Sequence, residues 1–522
     1  MSDDFTLLDH YTILIYPFLH SVMGDSRQRQ VRSLDESWAP WWSRLNGDTY
    51  KALDDTYFFL PYIREVMFPE TAVFKDEAPG DRYANWVKRI EQWNVKGLNY
   101  FCSEIPQDTI LRITYKKELL SSIQNIEIHT IIETNERIDH FLIPTYIEWI
   151  DAMLFPSGIG FFVLKLVLKD DSPNLSSLIN LNYYLRMIHP PNLDFKLPSL
   201  LINRMSISVT MRDLMDFLMQ GMFNDGLIIS DLVQFINHLN LAKPMRLSES
   251  EAGQVYGERC NVFSYACIDL KEENLPKALA GVFDSLKDRL VFEFATAIPI
   301  GEAVNNPQWI PSSEYVRKVK DQKQISFWRA WRGLALKEGV AFLATEDTNF
   351  NRRVLPHNIE NDYLPLYLYS LYQKYQLFLF ANELMCKGAY MARHLLEVRA
   401  LMNQFMNFRN KYWFSDVTRK PLGSELYHRF QHGMESPALY DLVSSQVREL
   451  KEYYEEQRQR RIDTLLNLLT FFFLPLGVVV GIFGMTFFNG SWKSFTLITV
   501  ITFIISLGIW KWGTEEFGPH IK

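Results

Sequence analysis

The chain is short of cysteine and of surplus basic charge. Only four of its 522 residues are cysteine, Cys102, Cys260, Cys267 and Cys386, and they form neither a CxxC pair nor a zinc-binding spacing with histidine. We therefore expect reduced, buried thiols. The net charge is −7, so the chain lacks the excess of Lys and Arg with which proteins neutralise phosphates. These deficits argue against a disulfide scaffold and against nucleic acid as a partner.

The N-terminus lacks the features of an export signal. Its first residues, MSDDFTLLDHYTILIYPFLH, are acidic before the apolar stretch. A secretory signal needs a basic n-region and a small-residue cleavage site, so we expect this part of the chain to stay in the cytoplasm. The sequence also has no P-loop, nucleophile elbow or metal-hydrolase helix. We therefore expect no enzyme activity, no catalytic residues and no bound cofactor.

Residues 1–350 mix the periodicities of strands and helices, which predicts a cytoplasmic domain of mixed α/β fold. Short apolar or alternating runs predict strands at 126–132, 160–168, 205–210, 261–270, 290–297 and 340–345. Helical patterns predict helices at 84–93 and 211–238, and the second opens with MRDLMDFLMQGM, in which Leu and Met repeat at three and four residues.

Residues 351–462 have the pattern of long helices. No proline occurs from Leu366 to Trp413, and apolar residues recur there at helical spacing, which predicts one or two long helices. Ser436 is expected to cap a further helix that has Pro437 in its first turn. From Ala438 this helix should run unbroken for roughly 45 residues, or about 70 Å. A bilayer needs much less, so its first half is predicted to be a cytoplasmic stalk.

Two runs near the C-terminus lack charge. No charged residue lies between Asp463 and Lys493, and none lies in residues 494–510. A membrane span needs about 20 apolar residues, so we predict two transmembrane helices within residues 463–512. The short sequence NGSWK would join them as a tight hairpin.

Basic residues flank these two runs on one side. Arg458, Arg460 and Arg461 precede the first, and Lys511 follows the second. By the positive-inside rule both termini are cytoplasmic, residues 513–522 form a cytoplasmic tail, and the chain is a multi-pass protein of the plasma (inner) membrane. The three arginines are topology anchors or, alternatively, a positive collar that hinders cations.

The first run contains glycines at four-residue spacing, Gly477 and Gly481. Because glycine has no side chain, such a pair leaves the backbone exposed on one face of the helix. Two interpretations stay open: a close contact between helices, or a pore wall that faces a permeant ion.

The segment LTFFFLPLGVVVGIFGMTFFNG resembles the end of the first transmembrane helix in the CorA family of divalent-cation transporters. The residues in register are Leu474, Pro475, Leu476, Gly481, Ile482, Phe483, Gly484 and Met485. The layout is also similar: an N-terminal α/β domain, long helices, a stalk continuous with the first span, and two spans at the end. The resemblance implies a homopentamer whose first spans line a pore. It also implies a Gly-Met-Asn signature that receives hydrated Mg²⁺, as permeant or regulatory ion.

The chain departs from the family signature at one position. Thr486 stands where the family has Asn, and the following FFNGSWK lacks a carboxylate. Gly484, Met485 and Thr486 are the selectivity candidates that the resemblance implies. The departures bear on which ion is selected and leave the pore architecture unchanged.

Helical spacing back from the signature gives the pore-lining candidates. Asp463, Asn467, Thr470 and Leu474 step by four and three, which keeps them on one face. Placing a polar side chain in lipid is energetically unfavourable, whereas a polar side chain that faces water keeps its hydration. This face is therefore predicted to line the pore. Leu474 would form an apolar constriction and Asp463 an acidic ring. The alternative is that Asn467 and Thr470 form hydrogen bonds within the helix bundle.

Two functional hypotheses follow. The first is a CorA-like pore that transports Mg²⁺ or a related divalent cation. The alternative is a ligand-gated CorA-like membrane effector of a defence system such as CRISPR, activated by a small molecule or nucleotide. Trp328–Arg329 and Trp331–Arg332 could stack a base and grip its phosphate. The acidic pairs Asp54–Asp55, Asp76–Glu77 and Asp170–Asp171 are weaker candidates for regulatory Mg²⁺.

Overall fold

The computed structural model describes residues 5–19, 37–45, 56–74, 79–106, 109–134, 137–188, 198–202, 208–223, 259–271, 275–298, 310–388 and 395–484, with the single residues 496, 497, 500, 501 and 504. The chain divides into two compact units. The first unit comprises Met1–Met385 with Phe405–Val443, and the second comprises Cys386–Gln404 with Ser444–Lys522. Each unit is described by itself.

A large mixed β-sheet forms the centre of the first unit. Its described strands are β1 Leu7–Leu19, β2 Trp38–Pro40, β3 Leu111–Tyr115, β4 Asn125–Thr134, β5 Arg137–Leu154, β6 Ile159–Leu168, β7 Ser199–Ile202, β8 Ser208–Val209, β9 Asn261–Ile268, β10 Gln324–Ile325, β11 Trp331–Leu336 and β12 Gly339–Ala344. They are ordered β10-β11-β12-β9-β1-β6-β5-β4-β7-β8, and β3 joins β5 to β2 at the side. Of the described pairs, β9 with β12 is parallel and the others are antiparallel.

The middle of the sheet is covered on both faces. In β1 the consecutive residues Ile13, Leu14 and Ile15 are all fully buried, although successive side chains of a strand point to opposite faces. Strands buried on both faces are continuous apolar runs without alternation. β6, whose apolar run was predicted as a strand, is buried at nearly every position in the same way.

Helices surround the sheet and continue beyond it. Those described are α1 Pro61–Met67, α2 Pro79–Lys96, α3 Leu98–Glu104, α4 Lys117–Leu120, α5 Leu175–Leu185, α6 Met211–Phe223, α7 Leu286–Thr296, α8 Ser313–Lys323, α9 Leu355–Asn358, α10 Leu364–Gly388, α11 Leu395–Tyr412, α12 Pro421–Gly433 and α13 Ser436–Gly484. Two π-helical turns, Phe350–Val354 and Ile359–Tyr363, flank α9. The mixed α/β region and the long helices after it confirm this part of the predicted architecture.

Most predicted elements lie where the sequence placed them. The strands predicted at 126–132, 160–168, 261–270 and 340–345 are β4, β6, β9 and β12, and the helix at 84–93 lies inside α2. Of the strand predicted at 205–210, Ser208–Val209 is strand β8, and residues 205–207 lie outside the described part. The helix predicted at 211–238 is confirmed as α6, while residues 224–238 lie outside it.

The strand predicted at 290–297 is wrong, because this segment is helix α7. The helix is buried on nearly all sides, so it has no single apolar stripe at helical period. Its local signals are helical. The Ser285 hydroxyl accepts a hydrogen bond from the Asp288 backbone at 3.2 Å as an N-cap. Arg289 and Glu293 form an ion pair at the four-residue spacing that only a helix brings together.

Three cysteines can be compared with their prediction. Cys102, Cys260 and Cys267 are free thiols, and the last two are buried. Burial raises the pKa of the Cys267 thiol to about 11, which keeps it protonated and unreactive. Cys386 lies in helix α10, but its side chain is outside the described part.

A buried ionic cluster lies beside β3, β5 and β6. The Oδ2 atom of Asp151 is 3.2 Å from Nη1 of Arg44 and 3.3 Å from Nη2 of Arg112. Nearby, Glu360 Oε2 accepts from Lys165 Nζ at 2.7 Å. Burial alone would raise the pKa of Glu360, but the charges of Lys165 and Arg44 outweigh burial and hold the pKa below its ordinary value. Buried carboxylates are therefore paired with buried bases here.

Aromatic rings enclose the same cluster. The guanidinium of Arg44 lies 4.2 Å from the ring centre of Trp149, and that of Arg112 lies 4.9 Å from the ring centre of Trp41. The pairing is incomplete, because Asp151 Oδ1 and Arg44 Nε have no hydrogen-bond partner within the described part of the chain. Burying the charges of such a cluster away from water is energetically unfavourable. Removing one partner destabilises the protein strongly, because it leaves a buried charge without its counter-charge.

Gly433 lets helix α12 pack directly on strand β11. A Cβ atom at Gly433 would lie 2.6 Å from the backbone oxygen of Ala335. Gly433→Ala is therefore expected to destabilise the protein by about 1–3 kcal/mol, since the helix must move off the strand. Thermal unfolding of the full chain measures this. The matched control is Gly281→Ala, whose Cβ meets no atom within 4 Å. Equal midpoints for the two variants would contradict the close-packing account.

Candidate functional site

Helix α13 carries the predicted site. It runs unbroken from Ser436 to Gly484, 49 residues, which confirms the predicted long helix. Its length is about 73 Å at the usual rise. No proline or glycine interrupts residues 438–474. Ion pairs at four-residue spacing, Lys451–Glu455 and Glu456–Arg460, support the exposed part.

The predicted cap of this helix is wrong in one detail. Pro437 does lie in the first turn, where its missing N–H is not needed. The hydroxyl oxygen of Ser436, however, has no hydrogen-bond partner among the described residues. The side chain is fully buried, so the capping bond that the sequence predicted does not form.

The predicted pore-lining residues share one face of α13. We name it the 463–481 face, and its members are Asp463, Asn467, Thr470, Leu474, Gly477 and Gly481. In an uninterrupted α-helix their directions fall within about 80° of the circumference. All six are exposed in the single chain. The structure therefore brings together every predicted pore-lining residue on an open surface.

The polar members of this face form local contacts. Asp463 Oδ1 accepts from Gln459 Nε2 at 2.9 Å, and the Thr470 hydroxyl donates to the backbone oxygen of Leu466 at 2.8 Å. Asn467 has no hydrogen-bond partner in the described part of the chain. Among the described residues, these side chains therefore form no hydrogen bond to another helix. Their acceptor atoms remain available to groups outside the chain.

The glycines of the 463–481 face leave its upper end open. A Cβ atom built at Gly477 or Gly481 would meet no atom within 4 Å. Each glycine therefore exposes bare backbone. Both interpretations of the pair, close approach of a second helix and contact with an ion, are compatible with this open surface.

Large apolar side chains cover the other side of α13. We name it the outer face, and its members are Ile462, Leu465, Leu466, Leu469 and Phe473. Between 39% and 64% of each of these residues is exposed. Their directions span about 100°; Leu466 borders the 463–481 face, about 60° from its centre, and the other four point away from that face. Contiguous exposed apolar surface of this kind marks contact with a membrane or another protein. This face was not predicted from the sequence, although the helical spacing of its apolar residues indicates it.

The signature residues fall at the edge of the described chain. Gly484 is the last residue of α13. Met485 and Thr486 lie outside the described residues, as does most of the second predicted span. Of that span, Leu497, Val500, Ile501 and Ile504 are described and exposed. Among the described residues, no helix combines the length and the apolar character needed to cross a membrane.

The other candidate sites receive less support. Of the two Trp–Arg pairs, only Trp328–Arg329 is exposed. Trp331 is buried, and Arg332 forms an ion pair with Asp288, so the second pair serves packing. No group of three or more potential metal ligands occurs within the described ranges. Asp170–Asp171 is an exposed pair, while residues 54–55 and 76–77 lie outside those ranges.

Comparison with known proteins agrees with this placement of the site. Residues 383–512 match the model of the family described as "CorA-like Mg2+ transporter protein". The match covers about a quarter of the chain and includes the whole 463–481 face and the signature. A search of the curated proteins found no significant match. Residues 383–512 of this chain are therefore similar to the CorA-like Mg²⁺ transporter family.

Proposed function

We propose that several copies of this chain form a membrane pore that conducts divalent cations, Mg²⁺ among them. The observation that carries this proposal is the two-sided character of helix α13. Its 463–481 face is polar or small except at Leu474, and its outer face is apolar and exposed. Within the family-matched segment, such a helix suits a position between water and lipid.

The apolar outer face supports a membrane position. Exposed leucines at successive turns are unfavourable in water and suit contact with acyl chains. The charge-free run between Asp463 and Lys493 extends this surface along the sequence. We propose that residues 463–512 form two transmembrane helices of the plasma (inner) membrane, with both termini in the cytoplasm.

Charge along the same helix favours cations over anions. In the part of α13 that precedes Asp463, three side chains project within about 40° of the centre of the 463–481 face: Glu449, Glu452 and Glu456. All three are exposed. Two bases, Arg448 and Arg460, lie about 60° from this direction, and Arg460 is paired with Glu456 at 2.6 Å. Rings of carboxylates concentrate cations at a pore entrance.

The polar groups of the 463–481 face suit a hydrated ion. Mg²⁺ keeps several of its waters, so the ion presents water hydrogens, which need acceptors. The Thr470 hydroxyl already donates to the Leu466 backbone, and its oxygen lone pairs remain free to accept. The carboxylate of Asp463 and the amide oxygen of Asn467 are acceptors too. The face can therefore bind the hydrate without removing water.

A pore needs more than one copy of this face. A single helix cannot enclose an aqueous path, so several α13 helices must surround it. Five copies is the number that the family resemblance implies. In such a ring, Leu474 would form the apolar constriction, and Gly477 and Gly481 would widen the path above it.

The test is Mg²⁺ entry into proteoliposomes that contain the full-length protein and an enclosed Mg²⁺-sensitive dye. Robust entry without added ligand supports constitutive transport. If a well-folded oligomer stays silent until a nucleotide is added, the alternative ligand-gated effector replaces that proposal. Silence under all conditions, with the protein inserted, would overturn conduction altogether.

A further inference from the structure

Three arginines precede the apolar part of α13, and they point in different directions. Arg458, Arg460 and Arg461 are all exposed. Relative to the centre of the 463–481 face, Arg460 is displaced by about 60°, whereas Arg458 and Arg461 are displaced by about 140° and 160°. Arg458 and Arg461 therefore cannot form a collar around a path lined by this face.

The pairing of these arginines follows their direction. Arg460 Nη2 is 2.6 Å from Glu456 Oε1. Among the described residues, neither Arg458 nor Arg461 has a carboxylate within ion-pair distance. Two guanidinium groups without an ion-pair partner among the described residues thus lie on the side of the helix that faces away from the proposed pore.

These two arginines adjoin the exposed leucines. The direction of Arg458 lies between those of Leu465 and Leu469, about 20° from each, and Arg461 is about 40° from Leu465. Along the axis, Arg461 lies about 6 Å and Arg458 about 10 Å before Leu465. The polar headgroup layer is about 5–8 Å deep on each side of a bilayer. Flexible arginine side chains span the remaining difference.

We propose that Arg458 and Arg461 bind the phosphates of anionic phospholipids in the cytoplasmic leaflet. This inference rests on the proposed membrane position of α13. Guanidinium groups bind phosphate oxygens in bidentate fashion, and negative lipids attract bases just outside a span. The two exposed positive charges and the adjoining apolar surface together match an anionic lipid, which carries a phosphate and an acyl chain.

The test compares Arg458→Gln/Arg461→Gln with Arg460→Gln as the matched control. Each full-length protein is exchanged into mixed micelles, and retained phosphatidylglycerol and phosphatidylcholine are quantified by native mass spectrometry. We expect the wild type and the control to prefer phosphatidylglycerol. The double variant should lose about 25-fold of that preference, at about fivefold for each arginine.

Two outcomes of this experiment are decisive. Equal phosphatidylglycerol preference in the double variant and the wild type would overturn the lipid site. A loss of about fivefold in the Arg460→Gln control, the share expected for each arginine, would also overturn it, because the effect would then depend on net charge alone. Alkaline extraction of membranes separates the two proposals, since a chain released from the membrane refutes the membrane pore, whereas an inserted chain without lipid preference refutes only this site.

Discussion

Cation flux is expected to fall about tenfold when Leu474 is replaced with tryptophan, and to stay within about twofold when Leu469 is replaced in the same way. Both residues are leucines of helix α13, and they are 60% and 48% exposed. They point about 140° apart, so one lies on the 463–481 face and the other on the outer face. A bulkier ring of side chains at Leu474 would close the constriction, whereas lipid accommodates the same ring at Leu469.

The initial rate of Mg²⁺ entry into proteoliposomes measures this difference. Matched protein content and an unchanged oligomer size on gel filtration are the controls. An equal loss of flux in both variants would show that tryptophan harms the helix as such. Unchanged flux in Leu474→Trp would remove Leu474 from the constriction.

The second large effect concerns the stability of the N-terminal unit. Asp151→Asn is expected to destabilise it by about 3–5 kcal/mol, because the change leaves the guanidinium groups of Arg44 and Arg112 without their shared carboxylate. Each arginine side chain is 9% exposed and that of Asp151 is 3% exposed. Water therefore cannot replace the lost partner.

Chemical unfolding of the full-length protein, followed by tryptophan fluorescence, measures this effect. Trp41 and Trp149 lie against the two guanidinium groups and report on the cluster directly. The matched control is Asp347→Asn. Asp347 pairs with Arg352 at 2.6 Å, but both side chains are more than 40% exposed. That change should cost less than about 1 kcal/mol. Similar midpoints for the two variants would contradict the account of a buried cluster.

Local pattern predicted the helical part of the structure better than the sheet. Helix α13 was predictable because helix-breaking residues are absent from 438–474 and charged pairs recur at four residues. The long strands β1 and β5 were not predicted. β1 is buried on both faces and lacks alternation. Conversely, α7 was mistaken for a strand because burial on nearly all sides removed its helical stripe.

The candidate site was predictable to the extent that it lies on one helix. Spacing alone placed Asp463, Asn467, Thr470 and Leu474 on a common face. Helical spacing also gives the direction of Arg458 and Arg461. That direction can be compared with the 463–481 face only if the helix is continuous between them, which the structure shows. The ionic cluster was beyond prediction, because Lys165 and Glu360 are 195 residues apart in sequence.

Cysteine scanning of α13 tests most directly the claim that the 463–481 face lines a cation path. Single cysteines are introduced on both faces, and Mg²⁺ flux is measured before and after a membrane-impermeant cationic thiol reagent, with the wild type as control for its native cysteines. The account predicts block at positions 463, 467, 470 and 474 and continued flux at 462, 465, 469 and 473. The account would be contradicted if modification of cysteines on the outer face also blocked Mg²⁺ flux, or if the blocked positions did not recur at helical spacing.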